Sequence, residues 1–253
     1  MDNSQKNSVN EPTNMKESSD SFSKAFFFIV PFTVPVIVTL VTYLFYPLTA
    51  ASNLVWLPLL VIYWTTIWGL TLLYRYKRGG VFNKERFKLT LKLKGEHLWL
   101  QYLLVYGPFI YSIPLFFINY ATNLSVNMYL VILLASIING PSEETFWRAC
   151  LEDAGKQAGV SERNRLIYAP IVFALWHTAF VIHLFPWDQT WIMWWGGTML
   201  ITWTSGLIWM WVMHRSERLV PQVIYHSCAN FINIFPLFLV TILDFIFKSN
   251  EHY

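Results

Sequence analysis

The stretch NGPSEETFWRAC, residues 139–150, follows thirteen residues, VNMYLVILLASII, that contain scarcely a polar side chain. Glu143 and Glu144 stand side by side, and Arg148 follows Glu144 by one helical turn. A charged side chain at the centre of a membrane helix costs roughly 2.5–3.5 kcal/mol on insertion scales. Three such groups in one apolar segment therefore predict a membrane-spanning helix that carries a functional site.

The composition of the whole chain extends this prediction to the rest of the protein. Of the 253 residues, 55% are hydrophobic, 18% are aromatic and only 13% are charged, whereas a soluble domain carries about 25% charged residues. Backbone groups in lipid must be satisfied within each segment, which favours helices. We therefore predict an all-α polytopic membrane bundle of seven transmembrane helices, or eight if the last apolar segment forms two pieces. The predicted spans are residues 25–46, 54–74, 98–118, 128–148, 166–185, 191–213 and 224–247.

Lysine and arginine are distributed unevenly between the loops. If Arg148 is counted at the inner end of its helix, 17 of the 18 basic residues fall in the N-terminal tail and the even-numbered loops. Short cytoplasmic loops are enriched in these residues, so the tail and those loops are predicted to be cytoplasmic. Residues 1–23 are polar and low in aromatics, which predicts a disordered cytoplasmic tail. No removable signal peptide is expected, and residues 24–248 are predicted to form one membrane domain.

The positions of the basic residues also indicate which binding partners to expect. No basic face lies outside the membrane loops, so nucleic acid is not an expected partner. Apolar and basic or polar residues alternate from Phe87 to Lys94 in the longest loop. This pattern favours an extended segment on the membrane surface, although a helix with one apolar side fits as well. Anionic lipid headgroups are the expected partner, and an acidic substrate is the alternative.

The two glutamates of the opening stretch are expected to differ in environment. Gly140 and Pro141 precede them, and a proline inside a helix predicts a kink or a restart. On the resumed helix Glu144 and Arg148 face each other, while Glu143 points about 100° away. One carboxylate is then neutralised and the other stays free, as a general base or acid requires. An ion pair that only ties helices together is the alternative, but it leaves the second glutamate unexplained.

Two further polar patterns lie in later apolar segments. His177 follows Phe173 by one helical turn, and a single histidine there is either a hydrogen-bonded core residue or a ligand or base. His226 and Asn230 share a helical face, where two donors suit an oxyanion or form a helix-packing pair. The predicted topology places all these groups in the cytoplasmic half of the bundle. By contrast, His214 is predicted to lie in a loop at the membrane interface.

Together the patterns resemble the signatures of the CPBP family, the CAAX proteases and bacteriocin-processing enzymes of the membrane. Those signatures are two glutamates followed by an arginine, a phenylalanine followed by a histidine, and a histidine followed by asparagine or aspartate. The resemblance covers roughly residues 98–234 and implies an intramembrane endopeptidase whose cavity opens to the cytoplasm. The best-known members remove the last three residues of prenylated proteins. The matching residues are Glu143, Glu144, Arg148, Phe173, His177, His226 and Asn230.

The family resemblance also implies a role for each residue. Glu143 would activate water together with His177, and His226 with Asn230 would hold the tetrahedral oxyanion. The second glutamate and the arginine of the first signature would shape and charge-balance the site. Residue chemistry supports these roles, since water needs a base and the developing oxyanion needs fixed donors. The chain from residue 24 to 248 is accordingly predicted to be the intramembrane protease domain, in a bacterial cell membrane.

No cofactor is expected, with zinc as the alternative. Three residues, Glu143, His177 and His226, could bind Zn²⁺. The chain has no HExxH pattern, which would place two histidines on one helical face. We therefore favour a glutamate and histidine mechanism on a membrane-associated or prenylated peptide or protein.

Two other classes of function are compatible with the sequence. The first is a non-catalytic membrane interaction protein of the bacteriocin-immunity or abortive-infection type, because related membrane proteins are linked to self-protection. The second is a transporter with a proton relay, which is disfavoured because relay residues should extend across the membrane.

Overall fold

The structure, a computed structural model, describes residues 13–49, 56–78, 86–119, 124–184 and 191–234. Within these ranges every regular element is a helix, so the predicted all-α class is confirmed. The α-helices are α1 (Thr13–Phe28), α2 (Val30–Thr49), α3 (Trp56–Lys77), α4 (Leu98–Tyr106), α5 (Phe109–Asn119), α6 (Val126–Glu143), α7 (Leu151–Gln157), α8 (Glu162–Leu184), α9 (Trp191–Ser216) and α10 (Val220–Ala229). Two stretches are π-helical, namely π1 (Glu144–Cys150) and π2 (Asn230–Ile234).

Two of the predicted spans are divided in the structure. The first, residues 25–46, is interrupted at Ile29, where α1 gives way to α2. The third, residues 98–118, is interrupted at Gly107 and Pro108 between α4 and α5. A proline has no backbone N–H and restricts the residue before it, which accounts for the second interruption.

Few of the described helices combine the length and the apolar composition needed to cross a membrane. One continuous helix, Val126–Gln157, is long and apolar enough to cross a membrane. The segments Ser21–Phe28 and Val30–Phe45 meet the same criterion only when taken together, with a bend of 48° between them. The last predicted span, residues 224–247, is described only as far as residue 234. The number of spans therefore stays a prediction.

Helix α1 overlaps the predicted tail. It begins at Thr13, inside the stretch of residues 1–23 that the composition assigns to a disordered segment. Its later turns bury Phe26 and Phe27 in the main hydrophobic cluster, which fixes the end of the helix against the bundle. Residues 1–12 lie outside the described part of the chain, so the boundary at residue 23 stays a prediction.

The core is built from aromatic side chains of several helices. Phe26 of α1, Tyr63 of α3, Phe146 of π1 and Phe173 of α8 are buried in one hydrophobic cluster. Helix α8 packs against α2 and α9, and α10 packs against α6. Helix α8 also contacts the π-helical stretch π1 that continues α6, so the elements with the first and second sequence patterns adjoin, as do those with the first and third.

At Gly140, α6 lies close to α10. A Cβ atom at this position would overlap the hydroxyl of Ser227, and it would lie 2.9 Å from the Ser227 amide nitrogen and 3.0 Å from the Val223 carbonyl oxygen. Two of these three atoms belong to the backbone, which cannot move aside without shifting the helix. The glycine therefore allows the two helices to pack closely.

Replacing Gly140 with alanine is expected to lower the free energy of unfolding by about 1–3 kcal/mol, the usual cost of overpacking. Reversible unfolding in detergent micelles measures this. Gly196→Ala is the matched control, because a Cβ at Gly196 in α9 meets no atom within 4 Å. That control should be neutral or stabilising by up to about 1 kcal/mol, since alanine favours helix. Equal stability changes in the two variants would contradict the close-packing explanation.

Charged and titratable side chains of α7, α8 and α9 form one cluster that connects the three helices. The buried carboxylate of Glu152 lies 3.0 Å from Arg165 Nε, 3.0 Å from His214 Nε2 and 3.6 Å from Lys156 Nζ. The prediction that His214 lies in a loop is wrong, because α9 continues to Ser216. The loop prediction relied on neighbouring charge and did not include a buried carboxylate on another helix as a partner.

The longest loop is held against the bundle. Residues 86–97 contain no helix, in agreement with the favoured prediction of an extended segment. The side-chain amide of Gln101 donates to two carbonyls of this segment, and Lys94 Nζ lies 3.0 Å from a Glu217 carboxylate oxygen. The hydrogen bond from Lys94 lowers the pKa of the Glu217 carboxyl. Leu89 is 91% exposed, so the segment presents an apolar side chain outward.

Candidate active site

The helix that carries the two glutamates continues past Pro141 without a restart. The N–H of Glu144 donates to the carbonyls of Gly140 and Pro141, and the π-helical turn π1 follows at once. Its π character is visible where the Leu151 N–H donates to the Phe146 carbonyl, five residues back. The predicted kink or restart is thus replaced by a local change of helical pitch. Single π turns of this kind are frequent at functional sites.

Glu143 is buried at the end of α6 and has two partners. Its Oε1 accepts a hydrogen bond from the Tyr63 hydroxyl at 2.7 Å. Its Oε2 lies 3.2 Å from His226 Nε2 on α10. The side chain is 3% exposed, so these contacts replace water around the carboxylate.

Glu144 shares the imidazole of His226 with Glu143. His226 Nδ1 lies 2.7 Å from Glu144 Oε1, and Arg148 Nη1 lies 3.4 Å from the same oxygen. The predicted pairing of Glu144 with Arg148 is therefore present. The expectation that the other carboxylate is free is wrong, because His226 bridges the two glutamates with one ring nitrogen on each.

The guanidinium of Arg148 lies between aromatic rings. Its central carbon is 4.1 Å from the centroid of Phe173 on α8 and 5.1 Å from the centroid of Trp209 on α9. A guanidinium over a desolvated aromatic face is stabilised by the ring quadrupole. Phe173 therefore has a direct role in the site, as a support for the arginine.

His177 lies on the same face of α8 as Phe173, but it is not hydrogen-bonded to the glutamates. Its Nδ1 is 3.0 Å from the Phe173 carbonyl oxygen, and its ring is 4.7 Å from the ring of Trp176. No hydrogen bond joins it to Glu143 among the described residues. A protonated Nδ1 donating to that carbonyl would leave Nε2 as an acceptor.

Asn230 begins π2, one turn after His226. Its side chain is 1% exposed, and the Nδ2 amide nitrogen has no hydrogen-bond partner within the described residues. Most buried polar side-chain atoms in folded proteins have a partner. This buried donor, one helical turn after His226, is therefore available to a group that enters the site.

The sequence patterns did not identify Tyr63, Trp147, Trp176 or Trp209 as parts of the site. All four side chains are buried and contact the residues described above. The chain contains 13 tyrosines and 13 tryptophans, so an aromatic residue in an apolar segment carries no distinguishing signal. A polar group opposite a buried carboxylate was required on physical grounds, but its position in sequence could not be predicted.

Comparison with known protein families finds a match over the segment that contains most of this site. Residues 125–232 match the model of the family described as type II CAAX prenyl endopeptidase Rce1-like. This segment is an Rce1-like domain. The predicted family is therefore confirmed, and the domain contains every residue of the three signatures. No curated protein and no solved structure matches the chain.

The Rce1-like domain extends from the residue before α6 to the middle of π2. The family is membrane-embedded, and the match supports a CAAX-protease-like endopeptidase. Tyr63 lies outside the matched segment, on α3, although it donates directly to a glutamate inside it. The site thus combines the Rce1-like domain with a helix that precedes it in the chain.

Proposed function

We propose that this protein is an intramembrane endopeptidase that hydrolyses a peptide bond in a membrane-associated or prenylated peptide or protein. The observation that carries the proposal is the buried pair of glutamates bridged by His226, inside the Rce1-like domain. A carboxylate with fixed partners in a dry site is the arrangement that a general base needs.

In the proposed mechanism Glu143 accepts a proton from the attacking water. The water oxygen forms a bond to the scissile carbonyl carbon, and the carbonyl oxygen becomes an oxyanion. Glu143 then returns the proton to the leaving amine as the C–N bond breaks. His177, with an available ring nitrogen on the neighbouring helix, orients the water from the other side.

The side-chain amide of Asn230 is assigned as a hydrogen-bond donor to the oxyanion. Its unpaired Nδ2 donor can form a hydrogen bond without breaking an existing one. His226 is assigned to the same oxyanion by the family resemblance, but both of its ring nitrogens lie against carboxylates. The histidine therefore contributes to the oxyanion only when Nε2 leaves Glu143 as the substrate binds.

Arg148 and Glu144 are proposed to balance the charge of the site. Glu144 contacts both the imidazole of His226 and the guanidinium. The cation is held over Phe173, so it cannot follow the substrate. A fixed positive charge lowers the cost of keeping two carboxylates in one buried cluster.

The proposed reaction uses no metal. A catalytic zinc ion needs three protein ligands with an open fourth position. In the part of the chain that the structure describes, no group of three His, Cys, Asp or Glu side chains is arranged to hold a metal. Glu143 and His226 contact each other, while Nδ1 of His177 lies against a backbone carbonyl.

We further propose that the chain is an integral multi-pass protein of a bacterial cell membrane, with seven or eight spans. The N-terminus and the opening of the site face the cytoplasm in this proposal, as the distribution of lysine and arginine favours. Many large apolar side chains on the surface of the bundle are exposed, which suits contact with lipid. Anionic headgroups are the proposed partner of the loop segment 86–97.

Asn230→Ala tests the proposed chemistry. The assay incubates the purified protein in lipid nanodiscs with a peptide that carries a farnesylated cysteine followed by three residues. Release of the C-terminal tripeptide, measured by mass spectrometry, is the expected result for the native chain. The alanine variant should be slower by about 10²- to 10³-fold, the usual effect of losing one oxyanion donor.

Asn164→Ala is the matched control, because Asn164 is exposed in the first turn of α8. Its rate should equal that of the native chain. A native rate in the Asn230 variant would contradict the assigned role. The same assay with a zinc chelator decides between the metal-free mechanism and the zinc alternative, which predicts loss of cleavage and recovery on addition of zinc.

A further inference from the structure

We infer that Tyr63 is a positioning residue for Glu143, and that Trp147 fixes the direction of its hydroxyl. The inference rests on the proposed function and adds a residue from outside the Rce1-like domain. Tyr63 is fully buried on α3, 80 residues before the glutamate that it contacts.

The direction of the hydrogen bonds follows from the groups involved. The Trp147 indole Nε1 donates to the Tyr63 hydroxyl oxygen at 2.8 Å, and an indole nitrogen can only donate. The tyrosine oxygen is therefore an acceptor on that side. Its single hydrogen is left for Glu143 Oε1, which lies 2.7 Å away. The chain of bonds thus runs from the indole through the phenol to the carboxylate.

The ring of Tyr63 is fixed by stacking. It lies parallel to the indole of Trp176 on α8, with the ring centroids 3.6 Å apart and an angle of 9° between the planes. Trp176 is the neighbour of His177 in sequence, and their rings are 4.7 Å apart. Tyr63 therefore contacts Glu143 through its hydroxyl and the helix of His177 through its ring.

These contacts divide the two oxygens of Glu143 between different tasks. Oε1 accepts the hydrogen bond from the tyrosine, while Oε2 faces His226. A hydrogen bond to one oxygen restricts rotation of the carboxylate, so the other oxygen keeps a defined direction from which it can take the proton of the attacking water. Orientation of this kind affects the chemical step more than substrate binding.

Tyr63→Phe tests the inference in the nanodisc cleavage assay. Removing a hydrogen bond to a charged group should lower kcat by about 10- to 100-fold. KM should change by less than about twofold, because the hydroxyl contacts the carboxylate and not the substrate. A structural defect alone would instead lower the amount of folded protein without changing kcat per folded molecule.

Tyr74→Phe is a closely matched control. Tyr74 lies on the same helix, is buried, and donates its hydroxyl to Asp153 Oδ2 at 2.6 Å, outside the site. This variant also loses a tyrosine–carboxylate hydrogen bond, so its effect on stability should be similar. Its kcat should equal the native value. Equal kcat values for the two phenylalanine variants would overturn the inference.

Trp147→Phe provides a second test of the inference. Because the indole acts on Glu143 through Tyr63, the double variant with Tyr63→Phe should be no slower than Tyr63→Phe alone. Independent, multiplying losses in kcat would overturn the assigned direction of the bonds.

A spectroscopic readout separates failure of the inference from failure of the proposed function. The infrared carboxylate band of Glu143 is assigned by its loss in Glu143→Gln, and Tyr63→Phe should shift that band whether or not the protein cleaves the peptide. An unshifted band would overturn the inference. A shifted band without peptide cleavage by the native chain would support the Tyr63 contact and contradict the endopeptidase proposal.

Discussion

Replacing Glu143 with glutamine is expected to reduce peptide cleavage by about 10²- to 10⁴-fold, the range over which a general base contributes. The amide keeps the size of the side chain and can still accept from Tyr63, whose hydroxyl lies 2.7 Å from Oε1. It cannot take a proton from water, so the loss should appear in kcat. Tripeptide release in the nanodisc assay measures this directly.

Glu96→Gln is the control for the loss of one negative charge. Glu96 is an exposed residue whose carboxylate lies 3.2 Å from Arg215 Nη1. Surface ion pairs contribute little, so this variant should cleave at the native rate. Cleavage by Glu143→Gln at the same rate as the control would rule out the proposed base.

The same variant separates the endopeptidase from an immunity or abortive-infection factor. In cells that carry the native chain or Glu143→Gln, only true substrates should differ in their peptide termini. An interaction protein would produce no such difference, and any protection that it confers would persist in the variant. Protection without a change in peptide termini would therefore favour the non-catalytic alternative.

The sequence predicted the all-α class, and it grouped Glu143, Glu144 and His226, which contact one another in the structure. Apolar runs of sufficient length predict helices, and the polar residues within them are costly enough to require partners. The proximity of Glu143, Glu144 and His226 could be anticipated from the order of the helices. Their family could be anticipated from the spacing of the signatures, and residues 125–232 match it.

The detailed contacts of the site could not be predicted from the spacing of residues along the sequence. An ideal α-helix directs Glu143 and Glu144 about 100° apart, yet His226 reaches both from another helix. The sequence also gave no reason to expect π-helical turns beginning at Glu144 and Asn230. A π turn depends on the hydrogen-bond register of the backbone, which side-chain periodicity does not define.

The ion cluster around Glu152 shows the same limit in a structural role. The predicted spans end at residue 148, resume at residue 166 and end again at residue 213, so Glu152, Arg165 and His214 are all predicted to lie in cytoplasmic loops. In the structure they form one buried cluster. Local patterns cannot predict such a partnership, because it depends on how α7, α8 and α9 pack.

Glu152→Gln is expected to lower the free energy of unfolding by about 3–5 kcal/mol, the cost of removing one partner from a buried ion pair. Arg165 Nε lies 3.1 and 3.0 Å from the two carboxylate oxygens and its side chain is 9% exposed. Because Nη1 of the same guanidinium donates to the Val160 carbonyl, the arginine cannot reach water without breaking a second bond. Reversible denaturation in detergent micelles measures the change.

Glu217→Gln is the matched control for this prediction. Glu217 pairs with Lys94 at 3.0 Å, the same separation as Glu152 with Arg165, but both side chains of that pair are about half exposed. The control should therefore lose no more than about 1 kcal/mol, since water replaces the lost partner. Equal losses in the two variants would show that the burial of the Glu152 cluster does not determine its contribution. A gain in stability on Glu152→Gln would show instead that desolvation of the cluster outweighs its attractions, and the cluster would then not stabilise the packing of α7 against α8 and α9.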